Sequence, residues 1–159
     1  MTRILFVEDE MLLRMAIVPD LEDAGYLVDQ AATGQQALAL AGEHGAAIGL
    51  AIIDIGLPDM KGDRLAAELW TTMPTLPIVL ATGYGEADLR TAFGQDRRVR
   101  ILGKPYFLED LLAEIRLLKG AVQPAAEAML RMPTVPASPA PPIVIDSSPD
   151  GLRLQPKRG

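Results

Sequence analysis

Short apolar runs and helical stripes take turns along the first 119 residues. RILFV (3–7), IGLAII (48–53), PIVLA (77–81) and VRIL (99–102) have the length and aliphatic content of strands, and YLVDQAA (26–32) is a weaker, partly polar one. Segments of helical spacing follow them at 10–24, Gln35–Glu43, Asp63–Thr72, Glu86–Phe93 and Leu108–Lys119. RILFV, IGLAII and PIVLA are read as apolar strands, as expected when helices cover both faces of a sheet. Five strands alternating with five helices predict an α/β fold, a doubly wound parallel sheet built by right-handed crossovers.

The helices carry their own signals. In 10–24 the stripe is Leu12, Leu13, Ala16, Ile17 and Leu21, and Gly25 suits its C-terminus. Pro19 interrupts that stripe. A missing donor and a ring clash predict a kink or local break there. Asp63–Thr72 turns Leu65, Ala66 and Leu69 inward, and the last helix turns in Leu111, Leu112, Ile115 and Leu118.

Composition removes several classes. There is no cysteine and one histidine, His44, so thiolate and histidine-rich metal sites are excluded. No apolar run approaches the roughly 20 residues of a membrane span. The opening MTRILFVEDE turns acidic too soon for a signal peptide, which makes the cytoplasm the expected compartment. Residues 1–119 hold 18 acidic and 11 basic side chains, which disfavours direct nucleic-acid binding. Eight of the 13 prolines lie in 120–159, so a domain over 1–119 and a Pro/Ala-rich, disordered tail over 120–159 are expected. Within that tail IVID (143–146) is a short apolar patch.

Ligands of such sheets bind beyond the carboxyl ends of the strands, so those ends are where chemistry is sought. The first strand ends in Glu8-Asp9-Glu10, the third in Asp54, the fourth in Thr82-Gly83 and the fifth in Gly103-Lys104-Pro105. Two like charges 4 Å apart repel by about 4 kcal/mol at an effective dielectric near 20. A hard divalent cation would offset that repulsion, and magnesium suits a set of one or two carboxylates with water and phosphate. Lys104, the Thr82 hydroxyl and the Gly83 amide supply donors of the kind a transferring phosphoryl group needs. A central carboxylate can serve as nucleophile. Singly, each residue has a plainer reading: an acidic helix start, a turn cap, a strand-end threonine, a surface lysine. His44 reads as a solvated helix C-terminus, Asp59 as a turn residue, and Arg97, Arg98 and Arg100 as a solvated edge.

Taken together, VED (7–9), IID with GLPDMKG (52–62), ATG (81–83) and GKP (103–105) resemble a response-regulator receiver domain over residues 3–119. That resemblance implies a flavodoxin-like sheet in the order 2-1-3-4-5. It implies Asp54 as phosphoacceptor, supplied by a histidine kinase or a histidine phosphotransfer protein. Mg2+ would be held by Asp9, by Glu8 through water, by Asp54 and by the Gly56 carbonyl. Lys104 would pair with the phosphoryl oxygens, with Thr82 and Gly83 binding them too. It further implies a cis Lys104-Pro105 bond, an output face over residues 86–119 toward a downstream protein target, and a monomer or weak dimer. The chain would be a signalling protein rather than an enzyme, with no nucleic-acid or membrane partner.

One position departs from the family pattern. Ile101 stands where an aromatic is usual, with Tyr84 or Tyr106 as candidate substitutes. ATGYG resembles a subclass whose fourth strand ends in Phe-Ala-Thr-Gly, many of them stand-alone receivers, with Leu80 in place of the Phe. Three other readings stay open. An unphosphorylated interaction module would share the fold. A haloacid-dehalogenase-type phosphatase would want an acid where Gly56 stands. A flavin domain would want a phosphate-cradling loop where Glu8-Asp9-Glu10 stands.

Overall fold

A computed structural model describes residues 2–122, with side chains as far as Lys119. The tail expected over 120–159 starts later than expected, because the last helix runs on to Val122; the remainder, including IVID, lies outside the described residues.

The elements run β1 (Arg3–Val7), α1 (Met11–Asp23), β2 (Leu27–Ala31), α2 (Gly34–His44), β3 (Ile48–Asp54), α3 (Gly62–Thr72), β4 (Ile78–Thr82), α4 (Glu86–Phe93), β5 (Val99–Gly103) and α5 (Leu108–Val122). A 3₁₀ turn, Gly45–Ala47, joins α2 to β3. The strands form one parallel sheet ordered β2-β1-β3-β4-β5. Strand order reverses between β1 and β3, and the crevice beyond their carboxyl ends is where such folds bind ligands.

Alternation of side chains splits the core into two layers. Leu5, Val7, Ala51, Ile53, Ile78, Leu80 and Ile101 face one way, against Ala37 of α2 and Leu65, Ala66 and Leu69 of α3. Ile4, Phe6, Leu50, Ile52, Val79 and Leu102 face the other, against α1 and α5. Each large aliphatic side chain so buried contributes roughly 1.5–3 kcal/mol. Leu111, Ile115 and Leu118 of α5 are fully buried, with Leu112 partly so.

The local break expected at Pro19 is absent from the first helix. It runs unbroken through Pro19, because Ile17, Val18 and Leu21 pack on the sheet on either side of the lost hydrogen bond. In proteins such packing contributes more to a helix than propensity does. The buried stripe is also shifted: Val18 joins it, while Ala16 and Leu12 are exposed. Met11, Leu12 and Met15 are 60%, 70% and 64% exposed at the end of α1 nearest the strand mouths. Gly25 does end the helix as expected, with φ +100° and its amide donating to the Glu22 carbonyl at 3.0 Å.

Two further expectations are corrected. His44 is not simply solvated: its Nδ1 lies 2.7 Å from Asp29 Oδ2, and Arg3 Nη1 donates to Asp29 Oδ1 at 2.7 Å. The end of α2 is thereby pinned to β1 and β2. The arginine run is not a bare edge either. Arg98 lies 3.8 Å over the Trp70 ring while pairing with Asp96, and Arg100 pairs with Glu114 on α5. Trp70 donates its Nε1–H to the Leu76 carbonyl at 2.9 Å and meets Phe93 of α4 at 6.4 Å between ring centroids.

Candidate functional site

The parallel register levels the strand ends. Val7 pairs with Ile53, Asp54 with Ala81, and Thr82 with Gly103, so the residues that follow converge at the crevice. Glu8 is held there by its amide, which donates to the Ala31 carbonyl at 2.9 Å. Lys104 donates its amide to the Thr82 carbonyl at 2.8 Å, and the Lys104-Pro105 bond is cis.

Glu8, Asp9 and Asp54 each offer a carboxylate oxygen, and these lie within 4.8 Å of one another. Glu8, Asp54 and Thr82 are the buried polar side chains among the described residues, whereas Asp9 is exposed. Lys104 Nζ stands 2.9 Å from Glu8 Oε1 and 3.4 Å from Asp54 Oδ2. The second oxygen of each carboxylate takes a backbone donor: Gly56 N to Asp54 Oδ1 at 3.1 Å, and Glu10 N to Glu8 Oε2 at 3.1 Å.

Three carboxylates share one ammonium, and the imbalance is visible in Glu8. Burial pushes its carboxyl up to about 7; the Lys104 and Glu10 hydrogen bonds pull the other way and Asp54's charge adds to the rise. Burial works against the charged form of Lys104, but Glu8 and then Asp54 outweigh it and hold its pKa above the ordinary lysine value. An all-oxygen donor set, two of its members buried, with surplus negative charge, fits a hard divalent cation. The Gly56 and Gly83 backbones are exposed beside this cluster.

Thr82 is engaged elsewhere. Its hydroxyl donates to the Tyr84 carbonyl and accepts from the Tyr84 amide at 3.1 Å, which folds the β4–α4 loop onto the strand end. Ile101 is buried in the core layer against which Leu89 and Phe93 of α4 also pack. Of its two suggested substitutes, Tyr84 is 91% exposed. Tyr106 is half-buried, and its hydroxyl is pushed well above the usual range by burial and by the charges of Glu8 and Asp54. Tyr106 is thus the tyrosine that feels the acidic cluster.

The sequence pattern and this geometry meet in the comparisons with known proteins. The model of the response regulator receiver domain matches residues 4–116. CpdR of Brucella abortus, a response regulator receiver protein, is 35% identical over 72% of this chain and 94% of its own length. Sensor kinase CckA of the same organism is 33% identical over 71% of this chain, which spans only 12% of the kinase. The crystal structure of the receiver domain of hybrid histidine kinase CckA superposes with a TM-score of 0.63 at 31% identity, covering 73% of this chain and 97% of that one. The chain belongs to the response-regulator receiver domain family, whose members are phosphorylation-dependent switches of two-component signalling. Such domains are signalling modules that exchange phosphoryl groups with histidine kinases or phosphotransfer proteins and pass the signal to downstream targets. No helix among the described residues is long and apolar enough to cross a membrane.

Proposed function

We propose that this chain is a cytoplasmic phosphoacceptor in which Asp54 takes a phosphoryl group from a phosphohistidine donor. The observation that carries the reading is the placing of the Asp54 carboxylate, bonded to Gly56 N on one oxygen and facing Lys104 Nζ on the other. In the step proposed, an Asp54 oxygen forms a bond to phosphorus as the phosphorus–nitrogen bond of the donor breaks. The imidazole leaves with the electron pair of that bond and takes a proton from solvent. The Gly56 amide orients the attacking carboxylate. Lys104 offers its charge to the oxygens of the incoming group, exchanging a carboxylate partner for a phosphoryl one.

Glu8, Asp9, Asp54 and the Gly56 carbonyl would hold Mg2+. When bound, that ion neutralises the clustered carboxylates and the phosphoryl oxygens. Thr82 completes the proposed set by leaving Tyr84 and donating to the new phosphoryl oxygen. The Gly83 amide lies in the same loop. The surface over residues 86–119 then carries the change to a protein target. For the donor side, exposed Met11, Leu12 and Met15 begin one residue after Glu10 and form an apolar rim to the crevice. A helical, histidine-bearing partner could cover it.

The direct test is intact-protein mass after acetyl phosphate with Mg2+. One phosphoryl addition, lost with Asp54→Asn and with a chelator, is expected. Addition that survives Asp54→Asn would overturn the assignment; none in a folded, Mg2+-binding chain would leave either a specific-donor requirement or the unphosphorylated interaction module, which an assay with a cognate kinase separates.

A further inference from the structure

Asp59 has no part in the phosphoryl chemistry above, and its sequence context reads only as a turn. In the fold its carboxylate reaches back to α2. Oδ1 accepts from Gly34 N at 2.8 Å and Oδ2 from Gln35 N at 2.9 Å. These amides open α2 and have no partner within the helix. Thr33 already caps that helix locally, accepting from Gln36 N at 3.0 Å. Asp59 is therefore a second cap delivered from a different loop. The bond from Gly34 comes first among the causes that keep its carboxyl below the ordinary range, against the opposing effect of desolvation.

The neighbouring residue makes a second grip. Met60 is buried, and its side chain lies so close to Gly34 that a Cβ there would meet Met60 Cγ, Sδ and Cε at 2.6–2.8 Å. The near end of the same loop is tied at the strand: Ile55 N donates to the Ala81 carbonyl and Gly62 N to the Ile55 carbonyl, each at 2.9 Å. Between these ties lies Gly56, whose amide orients Asp54.

We propose that Asp59 is a positioning residue for the cation site. By clamping the outer limb of the β3–α3 loop to the first turn of α2, it holds the Gly56 peptide where its carbonyl can meet a divalent ion. This rests on the cation reading above. It makes α2, which supplies no ligand, part of the scaffold that shapes the site.

The test titrates the full chain with Mg2+ alone by calorimetry and follows the Gly56 amide by NMR. Asp59→Ala is expected to weaken Mg2+ binding about tenfold, the low end of the loss when outer partners of a metal site are removed. It should also shift the Gly56 amide before any metal is added. Asp59→Asn keeps one acceptor, should fall between, and serves if the alanine variant does not fold. Thr33→Ala removes the local cap of α2 without touching the loop, so it should lower the melting temperature and leave Mg2+ affinity unchanged. Wild-type affinity in both Asp59 variants overturns the proposal. Equal weakening by Thr33→Ala overturns it too, reducing Asp59 to a helix cap. A wild-type chain that binds no Mg2+ would overturn the cation reading itself, and the positioning role with it.

Discussion

Glu8 shows what burying a strand-end carboxylate costs even with a lysine beside it. Burial pushes the Glu8 carboxyl up to about 7 in the folded chain, from the ordinary 4.5 of the unfolded one. Between those values the folded state binds more protons, so its stability falls as pH rises. Melting with a chelator present should show a melting temperature lower at pH 8 than at pH 5.5 by roughly 4–8 °C. Glu8→Gln should flatten that difference; an unchanged slope in the variant would place the titration elsewhere. Mg2+ affinity should run the opposite way and rise across the same window, because the ion binds the deprotonated form. Gly62 gives a second residue-scale prediction. A Cβ there would sit 2.5 Å from the Asp54 carbonyl oxygen, a backbone atom that cannot swing aside. Gly62→Ala should cost about 1–3 kcal/mol by denaturant unfolding.

At the scale of elements, the β4–α4 joint is the weak point of the sheet's top edge. The helix α4 buries none of its own residues and starts from Gly85 in the left-handed region, φ +69°. Its entry is held by the Thr82–Tyr84 bonds. Thr82→Ala should therefore speed hydrogen exchange at the Tyr84 amide without any phosphoryl group, and phosphorylation of the wild type should do the same; protection retained in both would remove Thr82 as the latch. Elements also mark how far sequence reasoning reached. The strands β1, β3 and β4 were legible because burial on both faces writes an unbroken apolar run. Asp54, Glu8 and Lys104 were legible because strand ends are local features that topology gathers. The exposed side of α1 was not, since aliphatic spacing cannot tell a helix face lying on the sheet from one projecting past it. The pairings of Asp59 and His44 were not legible, because their partners lie 25 and 15 residues away and no local pattern records such a pairing.

Across the described residues, one crevice brings an acidic cluster and an exposed apolar helix start together. Its floor is acidic, and the start of α1 at its rim carries Met11, Leu12 and Met15. Small and protein phosphodonors should part company on that rim. Replacing all three with serine is expected to slow transfer from a phosphohistidine protein about tenfold, ~1.4 kcal/mol, and leave labelling by acetyl phosphate unchanged. Equal slowing of both would place the defect in the chemistry. The lower edge of the molecule has a different use. Trp70 is the chain's only tryptophan, and it is lodged between a guanidinium from the start of β5 and an aromatic ring on α4. The protein thus carries a single native indole in contact with the helix expected to move. Its emission should register the switch in real time, in the unlabelled chain, from the side opposite the chemistry.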